Sequence, residues 1–166
     1  MIRFSVEKTD QSSSQYTLIL NELILNLIGQ GKFAEAVKIC QGILQQRPGQ
    51  HVSFNLAVAT WGETAQVPVA IFQSVLDFDP EITKDNSPNY LQHMSLANWV
   101  VGRLESAEKL LARTRASMIS NVEIPFSCWS FLYRRPATFR RDLDQQEAMF
   151  SGRAISPEVI SKEDTS

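Results

Sequence analysis

Pairs of apolar helical segments, each joined at a glycine, recur along most of this chain. In the first segment, apolar residues return at offsets of three, four, seven and eight, which predicts a helix over 16–28. Gly29 and Gly31 end it, because glycine adopts the left-handed cap conformation without steric cost. A second helix is predicted over 33–46, and Pro48 ends it, since proline disfavours helical backbone in the residue before it.

The same arrangement is expected twice more. The further helices are predicted at 52–61, 67–78, 90–101 and 104–119. A turn at 62–64 begins with Gly62, Gly102 marks the turn of the third pair, and Pro80 ends the second pair. Pro68 is compatible with a helix only in its first turn. The repetition predicts an all-α fold in which three stacked hairpins bury a core that no single hairpin could bury alone.

A small residue, a turn glycine and a closing proline recur at fixed intervals, and the pattern resembles the tetratricopeptide repeat (TPR) family. Gly31 precedes Ala36 by the same interval that separates Gly102 from Ala107. The equal intervals to a closing proline are Ala36 to Pro48 and Pro68 to Pro80. Ile119 replaces the proline in the third copy. The resemblance covers about 16–119.

The resemblance implies a right-handed α-α superhelix, a TPR-like solenoid of three helical hairpins. A C-terminal capping helix is expected after it, from the apolar stripe of the residues that follow. We expect a polar N-terminal segment over 1–15 and the repeat domain over 16–120. An aromatic and basic segment with the capping helix follows over 121–152, and a flexible acidic tail over 153–166. Small residues are expected where two helices approach most closely, at Ala36, Ala57 and Ala107.

The resemblance also implies a concave groove lined mainly by the first helix of each pair. The candidate partner-binding residues are Asn21, Leu25, Ile28, Phe54, Val58, Trp61, Gln92, Leu96 and Trp99. This set is mostly apolar and aromatic, which suits a helical or extended apolar segment of another protein. It lacks the inward basic residues with which several TPR proteins grip a C-terminal carboxylate. Two alternatives stay open for Trp61 and Trp99: these side chains belong to the core, or the C-terminal part of the chain covers them.

The C-terminal third is rich in aromatic residues over 121–133, and a helix is predicted over about 137–151. That helix carries an apolar stripe, which suits a lid over the last edge of a solenoid. A local basic patch lies at and just before the N-terminal end of this helix, at Arg134, Arg135, Arg140 and Arg141. Arginines interleaved with aromatics can bind single-stranded nucleic acid. The alternatives are pairing with acidic side chains of this chain or with an acidic protein surface.

No catalytic, cofactor or metal site is predicted. The glycines before Lys32 lack the remaining residues of a phosphate-binding loop. His51 and His93 have no ligand-spaced partners for zinc. Cys40 and Cys128 have apolar neighbours, so we expect two packed, reduced thiols and a cytoplasmic protein. No apolar run is long enough to span a membrane, and no signal peptide is expected at the N-terminus.

The 166 residues include 16 Lys and Arg against 18 Asp and Glu, which excludes a protein that is basic throughout. Because the predicted groove is apolar and no catalytic site is predicted, the leading hypothesis is a non-enzymatic protein–protein interaction module, such as an adaptor, an assembly factor or a chaperone. The alternative is a structural subunit of a larger complex or a homo-oligomer. Nucleic-acid binding through the arginine patch is the weakest of the three hypotheses.

Overall fold

The computed structural model describes residues 13–78, 87–117 and 139–152, and across these ranges every regular element is a helix. The helices are α1 (Ser13–Gly29), α2 (Phe33–Gln46), α3 (Gln50–Thr64), α4 (Val69–Leu76), α5 (Pro88–Val100), α6 (Leu104–Ser117) and α7 (Phe139–Phe150). The all-α prediction is confirmed. The predictions for 1–12, for the aromatic stretch over 121–133 and for the tail over 153–166 lie outside the described residues.

Two of the predicted turn glycines occupy the left-handed region that their position requires. Gly31 has φ +74° after α1, and Gly102 has φ +87° after α5. Beyond each glycine, a backbone amide reaches back five residues to a helix carbonyl. Lys32 N donates to the Leu27 carbonyl at 2.8 Å, and Arg103 N donates to the Asn98 carbonyl at 2.8 Å. These bonds satisfy carbonyls that the helix ends would otherwise leave unpaired.

The turn predicted at 62–64 is wrong, because α3 continues through Gly62 to Thr64. Ala65 closes the helix instead, with φ +57° and its amide donating to the Trp61 carbonyl. Gly62 serves a different purpose. A Cβ atom there would lie 2.5 Å from Cε1 of Phe33, so the missing side chain is what allows the Phe33 ring of α2 to pack against α3.

Proline marks the start of two helices. Pro68 stands directly before α4, and its carbonyl accepts the amide of Phe72 at 3.2 Å. The second helix of this pair is therefore shorter than the predicted 67–78. Pro88 opens α5, where a missing amide costs nothing, and the Ser87 hydroxyl accepts the Tyr90 amide.

Each helix from α1 to α6 packs against the next one along the chain. In addition α1 contacts α3, while α7 contacts both α5 and α6. The predicted small residues Ala36, Ala57 and Ala107 are all fully buried. Close approach is clearest between α5 and α6, where the buried Ser95 hydroxyl donates to the Ala107 carbonyl at 2.6 Å. The result is one continuous apolar core through the hairpins, with a smaller cluster between α6 and α7.

Within the described ranges, no helix combines the length and the apolar character needed to cross a membrane.

Candidate protein-binding surfaces

The residues predicted to line an open groove lie largely in the core. Six of the nine are less than 5% exposed, namely Ile28, Phe54, Val58, Trp61, Gln92 and Leu96. The other three are half-buried, namely Asn21, Leu25 and Trp99. Most of these side chains are therefore enclosed in the described part of the chain, and for Trp61 and Trp99 this burial corresponds to the alternative in which they belong to the core or are covered by the C-terminal part of the chain.

Aromatic contacts explain why the side chains of α3 are enclosed. The Phe54 ring stacks on His93 of α5, with centroids 4.1 Å apart and an interplanar angle of 13°. It also meets Phe72 of α4 edge-on at 5.9 Å, and Trp61 meets the same Phe72 edge-on at 6.2 Å. Neighbouring helices on two sides thus occupy the space that a partner would need.

A signal for this enclosure is present in the sequence. Helix α5 contains no Asp, Glu, Lys or Arg, and α3 contains none before Glu63. A helix without a charged face is typical of one surrounded by protein on most sides. By contrast, α6 carries charged residues throughout and is exposed along much of its length.

Helix α7 lies across α5 and α6, and its position confirms a helix near the predicted 137–151. Phe150 stacks on Trp99 of α5, with centroids 5.6 Å apart and an interplanar angle of 17°. Leu143 is fully buried and packs with Leu111 of α6. The buried Gln146 amide donates to the Gln92 carbonyl at 3.3 Å. We call the surface beneath α7 the α5–α6 face; its described contacts are Gln92, Trp99, Leu111 and Arg115.

The edge of the α5–α6 face is charged. The Arg115 guanidinium donates to Asp144 Oδ1 and to Glu147 Oε2 of α7, each at 2.9 Å. Both carboxylates are mostly exposed, so each pair contributes only about 0–1 kcal/mol. Beside this edge, α6 and α7 leave a cleft of about 270 Å³, which is smaller than typical small-molecule sites.

The Gln92 side chain is fully buried, and neither its amide nitrogen nor its amide oxygen has a hydrogen-bond partner. Gln50 is better satisfied, because its Nε2 donates to the Val75 carbonyl at 2.9 Å, although its oxygen lacks a partner. A buried amide without partners costs about 1–3 kcal/mol, so Gln92 is a destabilising residue within this face.

A second surface lies on α1, outside the nine residues predicted to line the groove. On α1, Leu18 and Ile19 are each 64% exposed and Leu23 is 37% exposed. Of the apolar stripe predicted on this helix, Ile24, Leu27 and Ile28 are buried, whereas Leu23 belongs to the exposed side. The helix has more apolar residues than one face can hold, which is the available signal for a second apolar surface.

The predicted basic patch is only partly within the described ranges. Arg134 and Arg135 lie outside them. Arg140 and Arg141 lie at the start of α7, and their side chains are outside the description. The structure therefore brings no described guanidinium of this patch to a surface.

The described cysteine and histidine side chains are held in packing contacts. Burial raises the pKa of the Cys40 thiol from 9.0 to about 12, which keeps it protonated and unreactive at neutral pH. His51 meets Tyr90 edge-on at 6.2 Å. Among the described residues, no three His, Cys, Asp or Glu side chains are grouped so that they could hold a metal ion. Cys128 lies outside the described ranges.

No protein-family model, curated protein or solved structure matches this chain, so its resemblance to TPR proteins rests on its own residues.

Proposed function

We propose that this chain is a non-enzymatic protein–protein interaction module built from TPR-like hairpins, and that it binds a helical segment of another protein on the α5–α6 face. The observation that carries the proposal is α7 itself, an amphipathic helix already seated there. An adaptor, an assembly factor or a chaperone could each act by binding a partner helix on such a face. The proposed compartment is the cytoplasm, because a packed, reduced Cys40 thiol suits a reducing environment.

Contacts between the first helices of successive hairpins support a stacked, TPR-like superhelix. Asn55 of α3 donates to Asn21 Oδ1 of α1 at 2.6 Å, and Phe54 of α3 stacks on His93 of α5. These three helices therefore lie side by side, with their hairpin partners packed against them. Stacked hairpins of this kind present the first helices along one face.

The way in which α7 is held defines the chemistry of the partner. The partner helix should carry an aliphatic residue, with an amide three positions later and an aromatic residue seven positions later. In α7 these positions are Leu143, Gln146 and Phe150. Two acidic residues at offsets of one and four would pair with Arg115, as Asp144 and Glu147 do. A partner helix with this pattern would compete with α7 for the α5–α6 face.

Displacement of α7 would expose the fully buried Leu143 side chain, at a cost of about 1.5–3 kcal/mol, in addition to breaking the other contacts of α7. The stacked pair of Trp99 and Phe150 contributes about 0.5–1.5 kcal/mol beyond its buried area. The bond from Gln146 is long at 3.3 Å, and the Arg115 pairs are exposed.

The test uses the full chain and a labelled peptide with the sequence of residues 139–152. Phe150→Ala in the chain weakens its own α7, so the peptide should bind this variant about tenfold more tightly than the parent, as ~1.4 kcal/mol of lost competition requires. Trp99→Ala removes the side chain of the α5–α6 face on which Phe150 stacks, so the affinity for the peptide should fall. A peptide with Leu143→Asp is the matched control. Equal, negligible binding to the parent and to Phe150→Ala, measured by fluorescence anisotropy, would contradict the proposal.

The alternative function, a subunit of a homo-oligomer, is favoured by a separate observation, the exposed apolar face of α1.

A further inference from the structure

We infer that the exposed face of α1 is the interface through which two copies of this chain form a symmetric dimer. The inference is independent of helix binding on the α5–α6 face, since α1 lies at the opposite end of the series of described helices. The face consists of the exposed residues at successive helical offsets: Gln15, Leu18, Ile19, Glu22, Leu23 and Asn26. We call this set the α1 face.

The α1 face is unusual for the end of a helical stack. Terminal repeats normally carry a polar outer surface, because nothing in the array covers them. Here the two most exposed large apolar side chains of the described residues, Leu18 and Ile19, lie together, with Leu23 one turn further on. Glu22 is the single charged residue of α1. Contiguous apolar surface of this kind marks an interaction site.

The order of residues along the α1 face fits a second copy of itself. A twofold axis passing between positions 20 and 21 would set two α1 helices antiparallel. The facing pairs would then be Gln15 with Asn26, Leu18 with Leu23, and Ile19 with Glu22. Leucines thus meet leucines, and amides meet amides at both ends. Such self-complementarity is what an isologous interface requires.

Charge also favours a second copy over a charged partner. The α1 face has no cation and one carboxylate, so it offers little to steer a strongly acidic or basic protein. In the antiparallel register the Glu22 stem packs against Ile19 of the other copy, and its carboxylate reaches the rim. Long charged side chains cover apolar surface in this way while they keep the charge in water.

The size of the interface sets the expected affinity. Two crossing helices with three apolar side chains each fall at the small end of specific interfaces, about 1,200 Å² in total. We therefore expect a reversible dimer with a dissociation constant in the micromolar range.

The first experiment is sedimentation velocity on the full chain from sub-micromolar to about 200 µM, a span that brackets micromolar affinity. The parent should move from monomer to dimer, and Leu18→Glu/Ile19→Glu should remain monomeric. Leu104→Glu is the matched control, because Leu104 is 44% exposed on α6, outside the α1 face. The control should dimerise like the parent. Circular dichroism verifies that each variant is folded.

A second experiment tests the register. Ile19→Glu alone should weaken association at least tenfold, since each new carboxylate would face Glu22 of the other copy. Mixing it with the Glu22→Lys variant should restore a mixed dimer, because Glu at position 19 would then face Lys at position 22. A parent that stays monomeric throughout, dimers that survive Leu18→Glu/Ile19→Glu, or a mixture without restored association would each overturn the inference.

Discussion

The ring of Phe33 in α2 lies so close to Gly62 in α3 that a Cβ atom on Gly62 would come within 2.5 Å of it. Phe33 is buried, so its ring has little room to move away. Gly62→Ala should therefore lower the free energy of unfolding by about 1–3 kcal/mol, as overpacking in a core typically does. Urea denaturation measures the change.

Gly42 is the matched control for Gly62, because it also lies inside a helix but has nothing within 4 Å of its Cβ position. Gly42→Ala should raise the free energy of unfolding by about 0.5–1 kcal/mol through helix propensity alone. Equal effects at the two positions would show that the Phe33 contact does not constrain Gly62.

Ala65 and Gly102 each stand just beyond a helix with positive φ, at +57° and +87°. A left-handed conformation costs an L-residue about 1–2 kcal/mol, which glycine avoids. Ala65→Gly should thus stabilise the protein by up to about 1 kcal/mol, and Gly102→Ala should destabilise it by about 1 kcal/mol. Because the Cβ position of Gly102 is open, steric contact contributes nothing there. The melting temperatures of the two variants measure these changes. Shifts of the same sign in both variants would be inconsistent with the left-handed conformation as the cause.

Gln92 and Gln50 allow the same substitution to be compared in two settings. Gln92→Met removes a buried amide without partners and should stabilise the fold by about 1–2 kcal/mol. Gln50→Met breaks the bond to the Val75 carbonyl and should destabilise it by about 1 kcal/mol. Denaturant titrations of the two variants give the comparison, and a loss of stability in Gln92→Met would show that its amide makes a favourable contact.

Trp99 and Phe150 should be energetically coupled across α5 and α7. A double-mutant cycle with Trp99→Ala and Phe150→Ala is expected to give a coupling energy of about 0.5–1.5 kcal/mol, typical of an aromatic pair. Because α7 packs mainly against α5 and α6 among the described helices, Phe150→Ala should speed hydrogen exchange in α7 more than in α2 or α3. Uniform acceleration in all helices would instead indicate that α7 is integral to the whole fold.

Stability should fall at alkaline pH because of Cys40. The folded thiol has its pKa raised to about 12, whereas the unfolded thiol ionises near 9.0. Between these values the unfolded state has lost a proton that the folded state retains, so stability decreases by up to about 1.4 kcal/mol per pH unit. The full contribution is present below the unfolded pKa.

Cys40→Ala isolates this effect, because alanine has no ionisable group. Unfolding free energies at pH 8, 9 and 10 should decline more steeply for the parent than for Cys40→Ala. Parallel declines would remove Cys40 as the cause.

Local features were predictable from the sequence because they depend on residues within one helical turn. The predicted second helix, over 33–46, has the observed bounds, and Gly31 and Gly102 adopt the expected left-handed caps. The prediction of a turn at Gly62 was wrong, because a glycine is favoured both in turns and where two helices are in close contact. The choice depended on Phe33, which is distant in sequence.

The sequence by itself determined the helices, most of their caps and the pairing of neighbours through short connections. Only the tertiary structure decided which apolar faces are enclosed. Phe54 and Trp61 are buried by neighbouring helices, α7 covers Trp99, and Leu18 remains exposed. The reason is physical: backbone conformation follows from local sterics and hydrogen bonds, whereas burial depends on which distant helices arrive at each face.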